Sequence, residues 1–387
     1  MSIKSTDNQY VAHTYKRFDI AVVKGSGALC WDDNGKEYID MTSGIGVNAF
    51  GYSDPVWAEA VAEQAKLLQH TSNLYYTAPC AELAEILCTR TGMSKVFFGN
   101  SGAEANECAV KVARKYAAEA KGAEYCNIIT FHQSFHGRTL TTLAATGQDG
   151  FHHLFTPLTE GFLYADAEDI DGLEALIREN KVAGVLLETI QGEGGVNAMS
   201  EDFLKAVEQL CRKHDIVFMI DEVQTGNGRT GALYSYQLYD LHPDVVTTAK
   251  GIAGGLPMGA CLMSERVADV LSYGDHGSTY GGNPVCAAAA ISVLSRMDDA
   301  FLAEVQKKGD YIRSRLRDAG YAVSGRGLMI GVTTEKPVGE VLAECIENGV
   351  LCLSAKEKLR LLPPLNIEWE QLGKAIDVII EALKNHA

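Results

Sequence analysis

Apolar and polar positions along this chain follow two rhythms. Between residues 95 and 265 short apolar runs recur, and longer stretches with helical spacing separate several of them. KVFFG (95–99) precedes AEANECAVKVARKYAAEA (103–120), and NIITF (127–131) and VAGVLLETI (182–190) follow. SEDFLKAVEQLCRKHD (200–215) leads into IVFMID (216–221), and DVVTTA (244–249) closes the series at Lys250. Short fully apolar runs alternating with amphipathic helices predict a mostly parallel sheet covered on both faces. Outside this region the pattern changes. Residues 21–41 read as a hairpin around an Asn34-Gly35 turn. SDPVWAEAVAEQAKLLQH (53–70) opens with Ser53 or Asp54 as cap and Pro55 in the first turn, which predicts a helix. Near the C-terminus Leu372, Ile376, Ile379, Ile380 and Leu383 form one helical stripe.

Length and charge narrow the function classes. A chain of 387 residues exceeds one hydrophobic core, so two domains or one large α/β unit are expected. No repeat or linker separates them. A formal net charge of −16 repels phosphate backbones and anionic lipid, which argues against nucleic acid and membrane as partners. No run approaches the ~20 apolar residues of a membrane helix, and the polar N-terminus lacks a signal-peptide core. Ten cysteines scatter from Cys30 to Cys352 without a C-x-x-C pair, so free thiols in a reducing cytoplasm are expected.

In open α/β sheets ligands bind beyond the carboxyl ends of the strands. The residues following each apolar run are therefore candidates: Asn100-Ser101-Gly102-Ala103-Glu104, HQSFHGR (132–138), QGEGG (191–195), Asp221 and Lys250. Ser101 and Glu104 fit a capping box, and the same helix start offers free N–H groups to a phosphate. Gly226-Asn227-Gly228-Arg229-Thr230-Gly231 matches G-x-G-x-x-G, but it follows several βα units, with Asp221-Glu222-Val223-Gln224 interposed. A nicotinamide fingerprint would instead join the first strand directly to a helix. His132 and His136 have the spacing of helical zinc ligands, yet Gln133 and Gly137 break the metalloprotease pattern, so no metal site is expected. Asp221 and Lys250 make the more informative pair. A desolvated lysine amine attacks carbonyls, and a carboxylate beside it can hold a pyridinium proton. Those are the two groups that pyridoxal 5′-phosphate (PLP) requires.

FHGRT (135–139), QGEGG (191–195), DEVQTGNGRTG (221–231), TTAKGIAGGLPMGA (247–260) and HGSTYGGNP (276–284) resemble the class III, ω-amino-acid aminotransferases. The resemblance runs from about residue 15 to the C-terminus. It implies the PLP-dependent transferase fold type I, like that of aspartate aminotransferase. A large PLP-binding domain with a mostly parallel sheet would span 49–285, and a smaller α+β domain would combine 1–48 with 286–387. It further implies roles for matching residues. Lys250 would hold the cofactor aldehyde as an imine and shuttle a proton. Asp221 would pair with the ring nitrogen, Phe135 and Val223 would press on the two ring faces, and Gln224 would reach the ring hydroxyl. Ser101, Gly102, Ala103 and Thr279 would bind the phosphate, with Thr279 coming from the partner subunit of a homodimer. Glu193 would neutralise Arg360 when a substrate has no carboxylate beside its reacting carbon. Arg138, Tyr15 and Ser278 would contact substrate, the match at HTYKRF (13–18) being short.

Within the family, the compact length, SGIGVN (43–48), HGSTYGGNP and LRLLPPL (359–365) imply N2-acetylornithine as amino donor and 2-oxoglutarate as acceptor. Ornithine, succinylornithine, succinyldiaminopimelate and 4-aminobutyrate are the alternative donors. Ile45 stands where a tyrosine would suit ornithine. The rivals from other classes are an NAD-dependent dehydrogenase and a catalytically silent binding protein on the PLP fold. The second would be expected to lack Lys250 or Asp221, and both are present.

Overall fold

The computed structural model of the protein describes residues 2–384. Its central sheet has the strand order Lys95–Gly99, Gly259–Met263, Val245–Thr248, Val217–Asp221, Val182–Leu187, Asn127–Phe131, Phe162–Ala165. Only Gly259–Met263 runs antiparallel to its neighbours. The remaining pairings are parallel, as the strand–helix alternation predicts.

The apolar runs lack a polar face because both faces of this sheet are covered. Ile128, Ala183, Val217, Met219 and Val245 pack toward the helix Gly102–Lys121. Their chain neighbours Ile129, Phe218, Ile220 and Val246 join the larger cluster on the opposite side. The two-residue period of a strand thus feeds two cores at once. The helix Glu201–Lys213 shows how one layer is fixed. Ser200 caps it by accepting from Phe203 N at 3.2 Å, and Phe203, Leu204, Val207 and Cys211 form its buried stripe. Glu201 and Asp202 lie at its positive end and Arg212 and Lys213 at its negative end.

Residues 21–41 form three strands, Val22–Ser26, Leu29–Asp32 and Glu37–Asp40, where the sequence suggests a single hairpin. The extra reversal is at Gly27, with φ +58°. The Asn34-Gly35 turn is present, and Asp32 Oδ1 accepts from Asn34 N and Lys36 N at 2.9 Å each. Val350–Leu351 adds a parallel fourth strand, pairing Val350 with Ile39. The N-terminal and C-terminal segments therefore share one sheet. A third sheet, ordered Val323–Arg326, Met329–Thr333, Lys358–Leu361, Leu353–Ala355, carries Arg360 opposite Gly331. The helix Trp369–Leu383 buries Leu372, Ile376, Ile379 and Leu383, the expected stripe, with Ile380 at its margin. The helix Pro55–Leu67 is capped by Asp54, not Ser53. The boundary expected at 285 falls inside the helix Pro284–Leu294, which packs on Pro55–Leu67, Ala78–Thr91 and the turn holding Lys250.

Residues 43–46 make a left-handed turn, with φ from 43° to 75° at Ser43, Gly44, Ile45 and Gly46. For Ile45 this conformation costs roughly 1–2 kcal/mol. It persists because its flanks are held several times over. Asp40 Oδ1 accepts from Thr42 N at 2.7 Å and Ser43 N at 3.2 Å. Ser43 Oγ donates to Leu362 O at 2.6 Å and accepts from the buried Arg229 at 3.2 Å.

Candidate active site

The carboxyl ends of the parallel strands open into a cavity of about 360 Å³. Ser101, Gly102, Ala103, Phe135, Asp221, Val223, Gln224 and Lys250 all line it. These residues span positions 101 to 250 of the sequence, and the sheet alone brings them together.

Ser101 caps the 20-residue helix Gly102–Lys121 by accepting from Glu104 N at 3.2 Å. Glu104 returns its carboxylate to Asn100 N, one residue beyond the expected partner. The first amides of the helix then have no intrahelical acceptor and face the cavity with the positive end of the dipole. Gly102 is required here. A Cβ on it would lie 2.7 Å from Val223 Cγ1, so a side chain would push Val223 out of place.

Asp221 ends its strand 4% exposed. Its Oδ2 accepts from His136 Nδ1 and Asn106 Nδ2, each at 2.8 Å, and its Oδ1 accepts from Val223 N at 2.9 Å. Asn106 Oδ1 in turn accepts from Thr247 Oγ1 at 2.6 Å, and Asn106 Nδ2 also donates to His136 O at 2.8 Å. His136 Nε2 is buried and has no hydrogen-bond partner among the described residues. The carboxyl group is thus locked in rotation by three donors. His136 is buried against Asp221, whereas His132 is exposed, its ring tilted 34° to that of Tyr164 at 5.8 Å; no group of three or more His, Cys, Asp or Glu suited to a metal ion occurs among the described residues.

Lys250 has φ +46°, a left-handed conformation that side chains avoid, at the start of a 3₁₀ turn. Burial depresses its ammonium pKa, and Asp221 and Glu193 oppose that shift. Its Nζ has no hydrogen bond or ion pair among the described residues, which leaves an amine poised toward the neutral, nucleophilic form. The neighbouring Glu188 is buried and accepts from Phe135 N at 3.0 Å and Gly192 N at 3.4 Å. Burial pushes its carboxyl up to about 7, with His136 opposing and Asp221 adding. Glu188 and Asn106 are the site residues that sequence reasoning missed, and His136, a candidate within HQSFHGR, is weighed there only as a metal ligand and not as a partner of Asp221. His136 lies inside the FHGRT motif, so a signal was present; Asn106 looks like an ordinary helix residue.

Glu193, in the turn between the short strands Ile190–Gln191 and Asn197–Ala198, meets Arg360 of the strand Lys358–Leu361. Arg360 Nη1 donates to Glu193 Oε1 at 2.5 Å and to Gln224 Oε1 at 3.2 Å. Burial pushes the Glu193 carboxyl up, and the Arg360 guanidinium more than offsets this, holding it below its ordinary range. Gln224 therefore connects this ion pair to the cavity wall. Arg138 is exposed, over the ring of the cavity-lining Phe135 and that of Phe151. Six expected residues do not line the cavity of this chain: Arg138, Glu193 and Arg360, and also Tyr15, Ser278 and Thr279. Tyr15 is 75% exposed, Thr279 is exposed, and Ser278 Oγ accepts from Asn100 Nδ2 at 3.1 Å.

The donor set fits a phosphorylated pyridine aldehyde. A helix N-terminus cleared by Gly102 suits the phosphate, an oriented carboxylate suits a ring nitrogen, and an unpartnered amine suits the aldehyde. A G-x-G-x-x-G cradle for a dinucleotide is excluded, because Arg229 of that motif is buried, donating to Leu328 O and Pro363 O.

A model of the family "Aminotransferase class-III" matches residues 10–383. The chain is 50% identical over 385 residues to the acetylornithine aminotransferase of Haemophilus ducreyi, covering 98% of each chain. It is 45% identical to that of Aquifex aeolicus, covering 97% of this chain and 100% of the relative. Among solved structures, an ornithine aminotransferase from Toxoplasma gondii, with PLP at partial occupancy, superposes with TM-score 0.94 at 32% identity, covering 98% of this chain and 93% of that one. An N-acetylornithine aminotransferase from Stenotrophomonas maltophilia gives 0.85 at 36% identity, covering 98% and 97%.

Proposed function

This chain belongs to the class-III aminotransferases, and from that premise we propose that it moves the terminal amino group of N2-acetylornithine to 2-oxoglutarate. The products are N-acetylglutamate 5-semialdehyde and glutamate, a step of arginine synthesis. Similarity over nearly the full length to acetylornithine aminotransferases of several organisms supports the donor. The residues that PLP chemistry needs are present.

PLP, when bound, supplies an aldehyde for the amino group and a ring that accepts the electron pair left by a departing proton. Ser101, Gly102 and Ala103 would hold its phosphate at the helix start. Asp221, fixed by His136 and Asn106, would keep the ring nitrogen protonated. Phe135 and Val223 would confine the ring, and Gln224 would reach its hydroxyl. Lys250 Nζ would hold the aldehyde carbon at rest. Released, it would take the proton from the substrate carbon that bears the amine and deliver it to the carbon on the other side of the nitrogen, the former aldehyde carbon.

The observation that carries the two-substrate reading is the Arg360–Glu193 pair. Glutamate brings a carboxylate on its reacting carbon, and Arg360 can bind it through a bidentate fork. The terminal amine of N2-acetylornithine has no such carboxylate, and Glu193 then occupies the arginine. Arg138 would take the distant carboxylate of either substrate, and Tyr15 and Ser278 would join the substrate pocket.

We further propose a homodimer. Thr279 is exposed in its own chain, on the loop that also exposes Tyr273 at 107% and Tyr280 at 62%. Asn73 Nδ2 ties that loop to the 69–77 segment, donating to Ser278 O and Gly281 O at 2.9 Å each, and Tyr76 there is 106% exposed. Such an apolar rim suits a second copy, whose Thr279 would complete the phosphate site. No described helix is long and apolar enough to cross a membrane.

The test is a panel of amino donors with the PLP-loaded enzyme. N2-acetylornithine should give the highest kcat/KM, ahead of ornithine, succinylornithine, succinyldiaminopimelate and 4-aminobutyrate. A clear preference for 4-aminobutyrate or plain ornithine overturns the assignment.

A further inference from the structure

We infer that Phe151, pinned by His152, is the positioning residue that holds Arg138 ready for the distant substrate carboxylate. The inference rests on the aminotransferase reading and on the role of Arg138 within it.

Arg138 makes no hydrogen bond or ion pair among the described residues. Its contacts of note are with two rings. The guanidinium carbon lies 4.6 Å from the centre of the Phe151 ring and 5.6 Å from that of Phe135. The two rings meet edge to face at 5.5 Å with an interplanar angle of 67°. A guanidinium over an aromatic face keeps its N–H donors in its own plane, free to take a carboxylate edge-on. An exposed arginine without that support samples many rotamers, and ordering it on binding costs side-chain entropy. Phe151 therefore lowers the cost of binding without touching the substrate.

Phe151 needs its own support, because it lies on the four-residue helix Asp149–His152. His152 supplies it. Its Nε2–H donates to Leu143 O at 2.9 Å and to Thr146 O at 2.7 Å, two carbonyls at the C-terminal end of the helix Leu140–Ala145. Tyr164, whose hydroxyl donates to Ala144 O at 2.6 Å, flanks the His152 ring at 6.1 Å. Gln148 fastens the other end by donating to Ser134 O at 2.9 Å. The FHGR segment and the 148–152 segment are thus one unit. Phe135 belongs to both the cavity wall and the shelf, which sets the reach from the reacting carbon to Arg138.

The experiment uses the PLP-loaded full chain in single-turnover half-reactions. N2-acetylornithine is compared with N-acetylputrescine, the same amine without the carboxylate. Phe151→Leu keeps the bulk and removes the ring face. It should raise the concentration of N2-acetylornithine needed for half-saturation about fivefold, leave the maximal rate within about twofold, and leave N-acetylputrescine unchanged. Arg138→Ala should weaken N2-acetylornithine more, and adding Phe151→Leu to it should have no further effect. His152→Phe should reproduce the Phe151→Leu pattern more weakly. Equal losses for both amines in a folded Phe151→Leu protein, or additive losses in the double variant, overturn the inference. If the unsubstituted enzyme converts neither amine, the substrate reading falls and the inference with it.

Discussion

Arg360 Nη1 stands 2.5 Å from Glu193 Oε1, an ion pair formed between a strand of the C-terminal sheet and the loop after Val182–Leu187. In the proposed reaction this cation would serve an internal carboxylate and, with glutamate bound, that of the substrate. Glu193→Gln keeps the shape and removes the competing charge. The expected outcome is a severalfold lower half-saturation for glutamate and a lower kcat/KM for N2-acetylornithine. Paired half-reaction titrations check it. A parallel loss for both substrates would show that Glu193 only supports the fold.

Lys250→Ala removes the single amine aimed into the cavity. Transamination should fall by more than about 10²-fold, the range that one positioned acid–base group contributes, and the visible absorbance of the loaded protein should disappear. The melting temperature of the PLP-free protein should not fall, because alanine takes the place of an amine that has no hydrogen bond or ion pair among the described residues. Retained turnover would remove Lys250 from the reaction.

Asn106 joins Asp221 to Thr247 across the sheet edge. Asn106→Ala leaves buried partners without a hydrogen bond, a change worth about 1–3 kcal/mol. Lower stability in urea, together with faster loss of PLP on dialysis, is the expected outcome. A stable protein with unchanged PLP retention would rule out the orienting role.

Gly102→Ala places a methyl 2.7 Å from Val223 Cγ1. Val223 must shift into the space expected for the ring, so PLP affinity should drop about tenfold, a change of roughly 1.4 kcal/mol, while the chain keeps its fold. A fluorescence titration of the stripped protein with PLP reads the change directly. Unaltered affinity would mean that the helix start has room to spare.

Glu188 gives a pH prediction. Burial raises its carboxyl to about 7, so the folded state keeps a proton that the unfolded chain releases near its ordinary value of 4.5. The stability this contributes is complete below 4.5 and is lost as pH rises through 7. Glu188→Gln is neutral at every pH and lacks that loss. Its urea midpoint, measured without PLP, should gain on that of the unsubstituted protein between pH 5 and 8. A constant difference across that range contradicts the shift.

Much of the fold can be read along the chain because it is encoded locally. The apolar runs of the central sheet are short and doubly covered, and each intervening helix carries its own cap and stripe. The residues after the runs, Ser101, Asp221 and Lys250, are where the sheet edge places a site. The meander at 21–41 was harder to read, because its first reversal is set by Gly27 and not by an Asn-Gly pair. The left-handed turn at 43–46 gives no local signal either. Ser43 and Ile45 accept that conformation only because Asp40, Arg229 and Leu362 O hold the turn.

The sequence by itself determined the strand and helix series, the motifs that carry the chemistry and their order along one sheet edge, since periodicity and capping act within a few residues. Tertiary structure alone decided that Asn106 and His136 would share Asp221, realised the Arg360–Glu193 pairing that only the family resemblance implied, and set Phe151 under Arg138. Those pairs are separated by 115, 85, 167 and 13 positions. No local preference of either partner specifies the other; the packed layers bring them within hydrogen-bonding or ring-contact distance.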